Sequence, residues 1–344
     1  MPCIVLPLAP ASLERCARAL VAGELVAFPT ETVYGLGAHA LDERAVDAIF
    51  AAKGRPAGDP LIVHTADAAD ALALAAPSPF ERRVLERLAE RFWPGPLTLV
   101  TRASSIVPRR VTAGGEFVGL RVPSHPVARA LLTAARVPVA APSANRFGHV
   151  SPTSAAHVAV DLARADLLIL DGGECPVGIE STVARVTEGK PVEILRRGAI
   201  GRDDLARALE DLGVEVVVRE RHATVAETES APGQLLTHYA PTLPAFLLDE
   251  LASEIVNLVD AAVIDFAGRH VALRDRARSY EDLAPDGDPA VAAARLFAAL
   301  RSAESVEGAR AVLLVDLRGE SDPTLQAIAD RLLRAASGRT ARGN

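Results

Sequence analysis

The sequence predicts an α/β protein of two domains, and three observations carry that reading. Short apolar, β-rich runs alternate with amphipathic helical stretches along most of the chain, the pattern of sheets flanked by helices. At 344 residues the chain exceeds what a single core usually organises. The pattern also breaks once, over residues 219–241, in a polar segment with two prolines and one glycine that reads as a long linker.

In the first domain, residues 1–218, strands are expected at 25–28, 61–63, 97–101, 118–122, 137–140, 167–170, 182–186 and 192–195. A helix over 12–22 opens on a serine cap and stops at Gly23. Ser78-Pro79-Phe80-Glu81 joins a capping box to a proline in the first turn and opens a helix over 80–92. A helix over 203–212 follows Gly201 and closes the domain. Beyond the linker, residues 242–344 alternate strands at 245–248, 261–265 and 311–317 with helices near 251–259, 289–303 and 323–336. That is a smaller, Rossmann-like, parallel α/β domain.

The net charge of −7 argues against an extended basic face for nucleic-acid backbone, while a local basic cleft for a small anion fits it. Any tRNA contact is therefore expected to be weak or indirect. Three cysteines, odd in number and without a C-x-x-C, argue against a disulfide framework or a structural zinc site and suit a reducing cytoplasm. The first residues lack a basic stretch ahead of their short apolar run, and no window approaches eighteen uncharged apolar residues. A soluble cytoplasmic protein with no membrane partner is expected.

Chemistry concentrates in a few clusters. PTETVYGLGAHA (29–40) lacks the third glycine of a dinucleotide fingerprint, and the chain holds no P-loop, so a nucleotide site must use another architecture. Thr30 and Thr32 could equally serve as caps. In KGRPAGDPLIVH (53–64), Lys53 and Arg55 flank Gly54. Two cations there suit a polyphosphate, or simply complement the end of the preceding helix. Arg121 alternates within the apolar run VGLRVPSHP (118–126). A buried arginine needs an anion, which an acidic side chain or a substrate carboxylate could supply. VAAPSANRFGHVSPT (139–153) presents Ser143, Asn145 and Ser151 after a strand's carboxyl end, where open α/β sheets bind ligands. GIESTVARV contributes Ser181 and EILRRGAI contributes Arg196. Together Lys53, Arg55, Arg121 and Arg196, beside strand ends rich in Thr, Ser and Asn, have the composition of a concave polyanion site.

These motifs, in this order, resemble the YrdC-like family in its long, two-domain form. Lys53-Gly54-Arg55 with Ser143-Ala144-Asn145 matches the K-x-R…S-x-N signature. PTET-VYGLG at 29–37, R-x-P-x-H at 121–125, G-x-x-S-T at 178–182 and ILR-x-GAI at 194–200 accompany it. The resemblance implies a twisted sheet curled around a large cationic cavity. It also implies L-threonylcarbamoyladenylate synthesis, a nucleotidyl transfer. The threonine amine and bicarbonate form a carbamate, whose oxygen attacks the α-phosphorus of ATP while pyrophosphate leaves. Such a reaction is promoted by positioning and charge neutralisation, with magnesium carried on the triphosphate and no protein metal site.

Carried over by that resemblance, Lys53 and Arg55 are the catalytic cations and hold ATP phosphates together with Arg196. Ser143, Asn145 and Ser151 contact the nucleotide. Thr32, His64, Arg121, Ala141 and Ser181 surround threonine. Asp59 and Phe117 stand at two further nucleotide positions, where relatives often carry Asn and Thr, so only a backbone contact transfers for Phe117. The linker ends in APGQLLTHYAP, similar to the family's S-P-G…H-Y-[AS]-P element. This implies a strap across the active-site mouth, with Tyr239 and His238 touching nucleotide or pyrophosphate; domain docking is the alternative for both. A tRNA threonylcarbamoyl transferase is the implied consumer of the product. Two rival readings are an RNA-binding module of the same fold without adenylation activity, and carbamoyl-adenylate chemistry from carbamoyl phosphate. Relatives with the latter activity usually add zinc or acylphosphatase-like modules, for which this chain has neither cysteines nor length.

Overall fold

A computed structural model of the chain describes residues 3–219, 238–248 and 258–341. The chain divides into two compact units. The first holds Met1–Phe147, Pro152–Pro176 and Glu180–Gln234; the second holds Gly148–Ser151, Val177–Ile179 and Leu235–Asn344. Most of the linker expected over 219–241, and most of the helix expected near 251–259, lie outside the described residues. Among the described residues no helix is long and apolar enough to cross a membrane.

In the first unit the chain runs β1 (Ile4–Pro7), α1 (Pro10–Val21), β2 (Val26–Pro29), β3 (Tyr34–His39), α2 (Glu43–Lys53), β4 (Ile62–His64), α3 (Ala68–Ala73), α4 (Pro79–Phe92) and β5 (Leu97–Arg102). It continues through β6 (Phe117–Arg121), α5 (Pro126–Ala135), β7 (Val139–Ala140), α6 (Ala155–Asp161), β8 (Leu168–Asp171), β9 (Thr182–Arg185), β10 (Val192–Arg196), α7 (Arg202–Leu209) and β11 (Val216–Val218). The strands form one mixed sheet of eleven, in the order β1-β8-β2-β3-β7-β4-β6-β5-β9-β10-β11. The expected cap on α4 is made in full. Ser78 Oγ accepts the Glu81 N–H, and Glu81 reaches back to the Ser78 N–H at 2.7 Å.

Strand alternation sends side chains to two faces with different coverings. On one face Val63, Leu97, Leu99, Leu120 and Ala184 pack with Val84, Leu85 and Leu88 of α4 and with Leu205 and Leu209 of α7. On the other face Val26, Phe28, Val139 and Leu170 are covered by α1 and α5 through Cys16, Leu20, Leu131 and Leu132. The β5–β6–β9–β10 part of that second face carries a small apolar cluster, Val100, Val183 and Leu195 with Phe117 against it. Arg121, Thr98, Ser181 and Arg196 lie on this same part. These candidate residues thus occupy the sheet face that α1 and α5 cover elsewhere.

Three strands of this sheet are not announced by apolar periodicity. Strands β1 and β11 are its edges, short enough for local signals to miss. Strand β3, YGLGAH, falls within the stretch 29–40, for which no strand is expected. It carries two glycines, which disfavour strands. Tertiary contact overrides that preference: a Cβ at Gly37 would come within 2.7 Å of Phe28 and 2.9 Å of Val139, so the neighbouring strands close around a residue without a side chain.

The second unit is a four-stranded, wholly parallel sheet in the order β12-β15-β13-β14, made of β12 (Ala245–Leu248), β13 (Ala261–Asp265), β14 (Ser279–Asp282) and β15 (Ala311–Val315). Strands β12, β13 and β15 read as nearly continuous apolar runs because their residues are buried on both faces of the sheet. Strand β14, SYED, is a polar edge and shows no such run. Helices α8 (Pro289–Glu304) and α9 (Pro323–Ala335) both begin Asp-Pro. In each the aspartate side chain caps the first turn, and proline sits where its missing N–H costs nothing.

Candidate active site

The site is assembled from four stretches of the first unit. Parallel pairing of β4 with β6 sets His64 beside Arg121 on one sheet face. The antiparallel register that pairs Leu99 with Leu120 brings Thr98 level with Arg121. Beyond β5, Thr98 Oγ1 lies 2.8 Å from Ser181 Oγ, and Arg196 donates from Nε to the Ser181 carbonyl and from Nη2 to its hydroxyl, each at 3.1 Å. A β-bulge between Ile194 and Arg196 turns both Leu195 and Arg196 toward Val183, so an arginine that strict alternation would send into the core faces the site. Gly198 lets the chain leave β10 against this segment, since a Cβ there would lie 2.4 Å from the Thr182 nitrogen and 2.7 Å from the Glu180 oxygen. Gly198→Ala is therefore expected to lower unfolding stability by about 3 kcal/mol, the upper end of over-packing costs, as read by urea denaturation. A loss below about 0.5 kcal/mol, typical of a surface change, would contradict the close approach.

The tip of the β2–β3 hairpin faces Arg121. Thr30 Oγ1 accepts the N–H groups of Thr32 and Val33, each at 3.2 Å, and donates to the Val33 carbonyl at 2.7 Å, a side-chain turn that fixes the tip. Arg121 Nη2 donates to Thr32 Oγ1 at 3.0 Å and ion-pairs with Glu31 at 2.9 Å. The anion that the buried arginine requires is thus supplied by Glu31, and Arg121 Nε has no hydrogen-bond partner. His64 is buried beside it, and burial, reinforced by the Arg121 charge, lowers its pKa to about 3. The ring is neutral, and its Nδ1 makes no hydrogen bond.

The third stretch carries the other two cations. Helix α2 ends at Lys53, with Gly54 in the left-handed conformation at its cap. The Lys53 ammonium, buried, donates to the Ser143 carbonyl at 2.5 Å and to the Asn145 carbonyl. Burial, with Arg55 nearby, holds its pKa well below the ordinary lysine value. Arg55 donates to the Asp59 and Pro60 carbonyls and ion-pairs with the Asp59 carboxylate at 2.6 Å, both side chains 4% exposed. The Asp59 negative charge is therefore matched within its own loop. Among the described residues, no group of three or more His, Cys, Asp or Glu is placed to hold a metal ion.

The fourth stretch joins these. Ala141 donates to the Ile62 carbonyl at 2.9 Å, and Ser143 bridges Gly35 of β3. Hence Lys53, Arg55, Ser143, Asn145 and Ala141 adjoin the hairpin that carries Thr32 and Glu31. Phe117 lies on the same face of β6 as Arg121 but at the strand's other end, within 6 Å of the Arg102 and Arg185 guanidinium groups. Ser151 and Tyr239 belong to the second unit, where the buried Tyr239 ring lies 5.3 Å from Phe297. His238 meets Tyr239 edge-on at 4.1 Å. A cavity of about 770 Å³ in the first unit, lined by Arg15, Arg18 and Glu24 among others, contains none of these residues.

Sequence reasoning left out Glu31 and Thr98. Both carried a signal: Glu31 sits inside the PTET motif, and Thr98 interrupts an otherwise apolar strand, LTLV, at a buried position. His125 caps α5 by accepting the Val127 N–H at 3.2 Å; burial lowers its pKa while the Glu31 charge opposes. Burial also pushes the Cys175 thiol up to about 12.

Comparison with known proteins places this geometry. Residues 18–198 match the Sua5/YciO/YrdC family, described as "Telomere recombination". Residues 200–337 match the "Threonylcarbamoyl-AMP synthase, C-terminal domain" family. The chain is 44% identical over 244 residues to a Pyrococcus abyssi protein named threonylcarbamoyl-AMP synthase, covering 71% of this chain and 70% of that one. A Bacillus subtilis protein of the same name is 37% identical over 340 residues, covering 96% and 94%. The crystal structure of P. abyssi Sua5 complexed with L-threonine superposes with a TM-score of 0.85 at 35% identity, over 99% of both chains.

Proposed function

This chain belongs to the two-domain threonylcarbamoyl-AMP synthase family, and from that premise we propose that the face around Arg121, Ser181 and Lys53 joins L-threonine, bicarbonate and ATP into threonylcarbamoyl-AMP. The observation that carries the reading is one sheet face on which buried Arg121, Arg196, Thr98 and Ser181 converge beside an apolar cluster of Val100, Val183 and Leu195, with Lys53 held against the 143–145 stretch that pairs with β3. Arg121, with Thr32 beside it, suits the threonine carboxylate and fixes its direction. Ser181, held by Thr98 and Arg196, offers a hydroxyl contact, and neutral His64 closes the pocket floor without competing for the anion. Lys53, Arg55, Arg196, Ser143 and Asn145 are the nucleotide side. No side chain acts as a nucleophile in this scheme. The threonine amine adds to bicarbonate with loss of water. A carbamate oxygen then forms a bond to the α-phosphorus as the bond to pyrophosphate breaks, and positioned cations offset the charge that develops.

Magnesium enters this scheme as part of the nucleotide substrate, its ligands being phosphate oxygens and water, as is usual for that ion. The adenylate is labile, so a tRNA-modifying transferase that consumes it completes the scheme; an acidic chain suits a hand-over with little tRNA contact of its own. The three cysteines are free thiols, as a reducing cytoplasm would keep them.

Incubation with MgATP, L-threonine and labelled bicarbonate is expected to give a labelled adenylate and threonine-dependent ATP–pyrophosphate exchange. Exchange that ignores threonine and bicarbonate, or RNA binding with no exchange, would overturn the assignment.

A further inference from the structure

Glu31 stands where a carboxylate ordinarily faces water, at the tip of a hairpin, yet it is only 4% exposed. Its Oε1 lies 2.9 Å from Arg121 Nη2, but neither carboxylate oxygen makes a hydrogen bond of acceptable geometry. A carboxylate offers about four acceptor directions, so most of its capacity is unused in a buried place. The tip itself is held by the Thr30 hydroxyl turn, so this placement does not come from a loose loop.

His125 and Cys175 also lie within reach of the Glu31 charge, and burial disfavours the charged form of each. The Arg121 guanidinium and the Glu31 carboxylate thus balance one another. An incoming substrate carboxylate on Arg121 would leave two anions against one cation in a poorly hydrated pocket, an arrangement costing several kcal/mol. The balance is restored when the same ligand brings its own cation one carbon away, as an α-amino acid does.

We propose that Glu31 receives the α-ammonium group of the amino-acid substrate, so that Glu31 and Arg121 act as a matched pair that reads a zwitterion. This rests on the reading of the site as one for threonine, and adds the residue that selects an amine-bearing ligand over other hydroxy acids. Holding the ammonium on Glu31 also fixes the nitrogen, which meets bicarbonate as the free amine after giving one proton to solvent, while Thr32 remains with Arg121.

The test compares two ligands by calorimetry on the full chain: L-threonine, and the 2,3-dihydroxybutanoate of matching configuration, in which a hydroxyl replaces the ammonium. Wild type is expected to prefer threonine by roughly thirtyfold or more, the worth of a charge-assisted hydrogen bond. Glu31→Gln, equal in shape and neutral, should raise the threonine Kd about tenfold to a hundredfold and leave the analogue's Kd within about threefold, so that the preference collapses. Glu31→Asp keeps the charge and should keep most of the preference. The ratio of the two affinities is unaffected by any unfolded fraction, which separates recognition from folding. Equal weakening of both ligands in the Gln variant would make Glu31 a mere support for Arg121, and unchanged binding of both would remove it altogether; either overturns the inference. Wild type that binds threonine without preferring it to the analogue sinks this inference alone, whereas wild type that binds neither sinks the reading of the site with it.

Discussion

Arg121→Ala raises the threonine requirement about a hundredfold or more and the ATP requirement by less than about threefold, because it deletes the charged donor assigned to the substrate carboxylate and leaves the nucleotide side intact. Steady-state pyrophosphate release with each substrate varied in turn reads both effects. Equal increases for the two substrates would take Arg121 out of this role. The same substitution also costs stability. Arg121 and Glu31 are both buried and lie 2.9 Å apart, so removing the guanidinium strands an uncompensated carboxylate. Breaking a buried pair from one side costs about 3–5 kcal/mol, whereas neutralising both members is far milder. The double variant Arg121→Ala with Glu31→Gln should therefore recover much of the lost stability in urea and none of the threonine affinity. A single variant that unfolds like wild type would show that the pair is screened by solvent.

The second large effect is on acid stability. His64 has a folded-state pKa of about 3 against an ordinary 6.5, caused first by burial and then by the Arg121 charge. Between those two values the unfolded chain binds a proton that the folded chain refuses, so stability rises with pH across the window. It is fully present above pH 6.5 and is lost as the pH falls toward 3, at up to about 1.4 kcal/mol per pH unit for the single proton. Over three pH units that is a large share of the 5–15 kcal/mol that typically separates folded from unfolded chains, hence roughly 4 kcal/mol at stake. His64→Asn removes the titrating group, so its stability should fall less steeply between pH 7 and pH 4 than that of wild type. Denaturant midpoints measured at each pH provide the comparison, and carboxylates common to both proteins cancel in the difference. Parallel limbs for the two proteins would show that the ring charges freely in the fold.

How much of this was legible beforehand depends on the range of the signal. Helix starts were readable because caps act within one turn: Ser78 with Glu81, and the Asp-Pro openings of α8 and α9, place donors and acceptors a few residues apart. Interior strands were readable because alternation registers which side faces the core. Strand β3 escaped because its stability comes from β2 and β7 on either side, not from its own glycine-rich residues. At the site, the cations and hydroxyls stood out as residue types, and their partners did not. Lys53 meets the carbonyls of residues 143 and 145, and Arg121 meets Glu31, through sheet register and loop closure far along the chain.

Composition, local periodicity and motif order by themselves determined the α/β class, the two-part organisation and the roster of cations able to handle a triphosphate and an amino acid. These are short-range or additive properties, and one strand of text carries them. Tertiary structure alone decided that Arg121 and Arg196 share a face, the latter turned onto it by a bulge in β10, and that Arg55 is matched by Asp59 and Arg121 by Glu31. Such pairings follow from how buried charges find compensation once the sheet has closed, because desolvation penalises every ion left alone and the partner that relieves it can come from anywhere the fold brings near.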